Sequence, residues 1–275
     1  MLAVGSTAYA AGPSPVGLGT AAPFAVLAGT PAVTNSGPTT ITGDVGIHPA
    51  VAVTGFPPGT VNGTIHMADA VALQAKTDLV TAYNDAAGRP VTDTHGSLGG
   101  LTLVAGVYNA GGVALDLTGT LRLDGQNDPN SVWVFQATSS LITASSSSVK
   151  LINGAKPCNV FWQVTSSATL GSGSSFVGTI MALTSITMAS GVTLDGRALA
   201  RNGKVTLLND TITNRCSTGT GASAGSSQLP DAAMSRGDPP VAPWSPFVVI
   251  GTVAVVLTLM LIVVHLRRSA MGKEL

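Results

Sequence analysis

The side chains that could do acid–base work are few and scattered. Cleaving a polysaccharide would need two carboxylates on neighbouring strands, and the aspartates to weigh are Asp44, Asp116, Asp124, Asp195 and Asp210. They are dispersed along the chain, and corner turns favour aspartate in any case. His48, His66, His95 and His265 lack the spacing of a metal site, and neither a GxSxG elbow nor a glycine-rich phosphate loop is present. Asp195-Gly196-Arg197 and Arg201 stand on successive strands, where they could pair in a structural salt bridge. No catalytic, cofactor-binding or metal-binding residue is expected, no cofactor is implied, and the chain does not read as an enzyme.

What does recur at fixed spacing is threonine. QATSSLIT from Gln136, QVTSSATL from Gln163, MALTSITM from Met181 and LARNGKVTL from Leu199 can be laid over one another, the later three at about 18 residues. Leu170, Met188 and Leu207, with Ala168, Ile186 and Val205, are expected to point inward at shared levels, and Val149/Leu151 and Val192/Leu194 to make a similar inward pair elsewhere. Thr169, Thr187 and Thr206 fall between them, pointing outward. Thr165, Thr184 and Thr193 are secondary outward candidates. Stacked coils lie roughly 4.8 Å apart, so equivalent threonines make a regular uncharged column. Any exposed solenoid strand also favours threonine, which leaves a purely structural role open for each one. The columns are imperfect: Ile142 takes the threonine level in the earliest coil, and Lys150 and Arg122 are expected outward at the level of Thr193.

The elements that hold such columns follow from composition. Charged residues are 9% of 275 and the formal net charge is zero, which leaves no basic stripe for nucleic acid. With aromatics at 4%, the core must come from small and β-branched side chains, which favours short stacked strands. No oligomer is expected. Met67 to Ala87 interrupts the strands with one helix, placing Met67, Val71, Ala75, Leu79, Ala82, Tyr83 and Ala86 on one face before Gly88 and Pro90 end it.

The two ends set an address. Residues 1–17 contain the remnant of a secretory signal peptide, with Ala8-Tyr9-Ala10 in the A-x-A cleavage form. The body follows at 18–216, then a Gly/Ser/Pro-rich tether at 217–246. Residues 247–266, FVVIGTVAVVLTLMLIVVHL, carry no Asp, Glu, Lys or Arg and are long enough to span a bilayer as a helix, with a basic tail at 267–275. The basic flank predicts a single-pass membrane protein, with the body outside the cell and the C-terminus in the cytoplasm. Leu229-Pro230-Asp231-Ala232-Ala233 resembles an LPxTG sorting signal, which leaves cell-wall sorting as the alternative. In an exported body Cys158 and Cys216 are free to form a disulfide; two unpaired, buried thiols are the alternative.

The run Cys158-Asn159-Val160-Phe161-Trp162-Gln163-Val164, followed by SSATLGSGSSFVGTIMALTSITM and GVTLDGRALARNGKVTL, closely resembles the bacterial and fungal ice-binding-like family. That family was first described as a domain of unknown function and includes ice-binding adhesins. The similarity covers roughly Leu18 to Cys216. It implies an all-β solenoid: a discontinuous right-handed β-helix of triangular section, with one long α-helix packed alongside; the C-terminal transmembrane helix expected at 247–266 would lie beyond it. It also implies that one flat face adsorbs to an ice crystal, giving slowed recrystallisation or ice adhesion. A surface adhesin or envelope structural protein on the same scaffold is the competing reading, for which Trp133 and Trp162 are the aromatics to locate.

Overall fold

Runs such as FAVLA and VFWQV have no polar side, so both of their faces must be covered. Residues 12–217 are described in a computed structural model, and there Phe24–Ala28, Trp133–Ala137 and Val160–Val164 are buried at every position. Shorter runs such as Ala168–Leu170 and Ile186–Met188 alternate between core and surface. All strand pairs are parallel, in one fifteen-stranded and one seven-stranded sheet.

The larger sheet has two arms. Ser175–Ala182 and Thr193–Ala200 run through both, and each changes neighbours at a glycine: Ser175 pairs with Ser148, but Thr179 pairs with Phe161. Gly178 and Gly196 lie side by side there at φ 109° and 153°, and a Cβ on Gly196 would drive into the Gly178 carbonyl. The corner between the open arm and the seven-stranded sheet repeats one device in adjacent coils. Gly37, Asn209, Gly191, Gly173 and Ser146 all take a positive φ between 57° and 82°. The coil of Thr54 departs from it: Gly55 directly follows Thr54, where a Cβ would meet Asn35 O.

Chain order and stacking order differ. Phe24–Ala28 lies between Asp44–Ile47 and the late strand Thr193–Ala200, and Ala32–Ser36 pairs with Val205–Leu208. The N-terminal segment therefore extends the stack built by the last coils. The chain then crosses along the helix-side arm as α1 (Ala70–Ala87), about 27 Å at helical rise. It resumes at the other end of the stack with Asp93–Thr94.

Two apolar cores result. Inside the stack, Tyr108, Phe135, Trp162 and Phe176 form a column with ring centroids 5.6, 4.1 and 4.7 Å apart. Outside the helix-side arm, Leu27, Phe161, Met181 and Leu199 meet Ala75, Leu79, Ala82 and Tyr83 of α1. Polar pins fix the helix: Asp69 caps it by accepting from Ala72 N at 2.8 Å, and Gln136 Nε2 donates to Ala86 O and Arg89 O at 2.9 Å. Lys76 Nζ donates to the carbonyls of Ala200 and Arg201. Cys158 and Cys216 are bonded to each other, tying the excursion before Val160 to the end of the last coil.

Several expectations change. The fold class is corrected: the described chain is a mostly parallel β structure with one α-helix, and no helix among the described residues is long and apolar enough to cross a membrane. The one α-helix among the described residues, α1, is one-sided, with Gln74, Thr77, Thr81, Asn84 and Asp85 exposed opposite its buried stripe. The expected span, 247–266, lies outside the described residues. So do most of the residual leader, the tether and the basic tail, although Val16 is already buried against the helix-side core. The helix starts at Ala70 rather than Met67, because Asp69 caps it; Met67 ends a strand, and Val71 is exposed. Arg197 pairs with neither Asp195 nor another acid: it donates to Ala22 O and Thr179 Oγ1 at 2.9 and 3.0 Å. Arg201 stacks over the Tyr83 ring at 4.6 Å.

Candidate functional site

Side chains on the open arm alternate in and out, and the outward set is hydroxylic. Thr60, Thr40, Thr211, Thr193, Ser175, Ser148 and Thr120 stand in register across seven strands. The first five are exposed and the last two half-buried, with Thr120 and Ser148 hydroxyls hydrogen-bonded at 2.9 Å. Two residues further along each strand comes a parallel column of Asn62, Thr42, Thr213 and Asp195. The inward partners between the columns, Ile41, Ile212 and Leu194, are fully buried and hold the spacing rigid.

The seven-stranded sheet carries the other column. Thr54, Thr34, Thr206, Thr187 and Thr169 are in register, and Ile142 and Asp116 follow in the same line. Thr169, Thr187 and Thr206 are thus brought together, joined by Thr34 and Thr54, which sequence spacing alone missed. Their inward neighbours Ala168, Ile186, Val205, Leu170, Met188 and Leu207 are buried. Thr193 belongs to the open arm. Thr165 and Thr184 belong to neither column: they sit at the corner toward the helix-side arm, where Thr165 Oγ1 donates to Ala137 O at 3.0 Å and Thr184 Oγ1 meets Ser167 Oγ at 2.7 Å.

Charge touches both sets of rows: Asp116 closes the seven-stranded line, and Asp195 stands in the second open-arm column. Lys150 and Arg122 pair with each other and with Thr102, one register step of two residues away from Ser148 and Thr120. They therefore miss the Thr193 column, contrary to the expected level. Asp210 lies between the two columns in its coil but is 2% exposed, accepting from Val192 N and Leu208 N at 2.9 and 2.8 Å. Burial raises its carboxyl to about 6. Burial also raises Asp195, against the opposing charge of Arg215. The remaining aspartates anchor turns: Asp44 accepts from Thr64 N, Asp124 from Gln126 N, and Asp116 from Thr118 Oγ1. Among the described residues no group of three or more His, Cys, Asp or Glu could hold a metal ion. Trp133 and Trp162 are fully buried, their indole N–H groups donating to Leu103 O and Val177 O.

The sequence pattern of the family described as ice-binding-like matches residues 26–213. The chain belongs to the ice-binding-like family. Among similar members, an ice-binding protein of Nostoc sp. (strain HG1) is 52% identical, over 73% of this chain and 75% of the relative. An ice-binding protein of Colwellia sp. is 36% identical, over 74% of this chain and 85% of the relative. In three dimensions, the crystal structure of an ice-binding protein from an Antarctic biological consortium matches with a TM-score of 0.72 and 47% identity. That match covers 74% of this chain and 93% of the other. The matched crystal structure shares the fold of the described residues.

Proposed function

We propose that the protein binds ice, and that the face headed by Thr193 on the open arm is its principal adsorbing surface. The observation that carries this reading is the seven-residue hydroxyl column from Thr60 to Thr120, backed in four coils by a second column. Threonine methyl groups favour a cage of ordered water, and the hydroxyls anchor it. A rigid surface with strand spacing of roughly 4.8 Å holds that water in a nearly crystalline arrangement. Adsorption at the growth front leaves ice to advance only between bound molecules, as curved fronts, and this slows recrystallisation. The open arm is preferred to the seven-stranded sheet because its column is longer and more exposed. Ile142 and Asp116 end the threonine line of the other surface after Thr169, and the exposed Leu208 stands beside it. The names of the relatives support the same ligand.

The body acts outside the cytoplasm, a reading supported by the Cys158–Cys216 bond, which needs an oxidising compartment. The test is capture of the purified full chain into a slowly growing ice front, with recrystallisation inhibition measured alongside. Enrichment in the ice fraction is expected. Exclusion from ice together with unrestrained grain growth would return the molecule to the competing reading of a surface adhesin or envelope scaffold.

A further inference from the structure

The two threonine columns are not separate surfaces. In each coil a short segment leads from one to the other: 54–60, 34–40, 206–211, 187–193 and 169–175. None of these five segments contains Lys, Arg or Glu, and their one acid, Asp210, is turned into the body against two backbone amides. In four of the five the shared corner is the repeated left-handed turn, at Gly37, Asn209, Gly191 and Gly173, with Ser172, Ser190 and Asn209 exposed along its rim. The charges of this half of the stack lie on the outer margins: exposed Lys204 follows the helix-side corner, and Asp195 stands beyond the Thr193 column. An uncharged surface with regular side-chain rows therefore wraps around one edge of the stack. Threonine at both margins gives each flank what a single flank needs to order water.

We propose that the seven-stranded face, through Thr54, Thr34, Thr206, Thr187 and Thr169, is a second ice-adsorbing surface, continuous with the first over that corner. This rests on the ice-binding reading and extends it: the molecule presents two flat flanks and the edge between them, and so engages more than one set of ice planes. Far fewer ice orientations would be reachable from the open arm alone.

The experiment adsorbs fluorescently labelled full chain onto a single-crystal ice hemisphere and maps the planes that light up, with the thermal midpoint of every variant as a folding control. Thr169→Tyr and Thr193→Tyr place a bulky ring at one exposed position of each column; Thr54→Tyr and Thr40→Tyr repeat the two arms at the other end of the columns. The expected result is that each single variant loses a different subset of planes, and that the double variant Thr169→Tyr/Thr193→Tyr loses them all. If Thr193→Tyr erases the whole pattern while Thr169→Tyr leaves it as in wild type, the second surface is refuted and the principal face stands. If Thr169→Tyr erases everything and Thr193→Tyr nothing, both the two-surface proposal and the choice of principal face fall. An unchanged pattern in the double variant removes both columns from ice binding altogether.

Discussion

The strand Thr193–Ala200 belongs to two regions with opposite chemistry. Before Gly196 its outward side chains are exposed Thr193 and half-buried Asp195 on the open arm; after it, Arg197 and Leu199 are covered, Leu199 by the cluster under α1. The same backbone serves as a display surface on one side of a glycine and as interior on the other. Its neighbour Ser175–Ala182 behaves alike, with exposed Ser175 before Gly178 and buried Met181 after it. Stability is thereby concentrated in the helix-side arm and the aromatic column, and the open arm is left free to carry side chains chosen for what they contact outside.

That division makes separable predictions. The largest effect is expected in the core shared by both regions: Trp162→Ala removes the centre of the aromatic column and should cost about 3–5 kcal/mol in chemical denaturation. Next, Cys158→Ser with Cys216→Ser opens a link across a sequence separation of 58, and a loss of about 4 kcal/mol relative to the bonded chain is expected.

Smaller is a pH effect that contrasts the two regions. The folded chain holds the proton of Asp210, at the open corner, up to about 6 against an ordinary 3.8, so its stabilising contribution falls as pH climbs through that interval. Burial beneath the helix lowers Lys76 from 10.5 to about 7, with Arg201 adding repulsion, so stability rises as pH increases from about 7 toward 10.5. Thermal midpoints recorded from pH 4 to 9 should pass through a shallow minimum between about 6 and 7, and Lys76→Met should flatten the alkaline rise. A profile with its maximum there would contradict the assignment of both groups. Smallest is Thr193→Val on the open arm, expected to change unfolding free energy by no more than about 0.5 kcal/mol. A loss comparable to that of Trp162→Ala would show that the open arm is not the independent display surface described.

Local patterns were legible where structure is local. The inward set Leu170, Met188 and Leu207, the outward Thr169, Thr187 and Thr206, and a helix ending at Ala87 could all be read from spacing. What stayed hidden depends on partners far apart in sequence. Thr34 meets Thr206, and Thr40 meets Thr211, only because the N-terminal segment stacks onto the last coils. The triplets TIT at 40–42 and 211–213, with TVN at 60–62, were the available signal for the longer column. The level of Lys150 was misjudged for a related reason: the excursion before Val160 lengthens one coil, so the register of Ser148 with Ser175 cannot be counted from an 18-residue period. The resemblance supplied the discontinuous stacking that periodicity could not.

The central claim is that the Thr193 column on the open arm touches ice. Its most direct measurement is the fraction of full chain captured by growing ice for wild type and for Thr211→Tyr, a single ring placed mid-column at an exposed position. A several-fold drop in capture with an unchanged thermal midpoint is predicted. Equal capture of the two proteins, both folded, would contradict it.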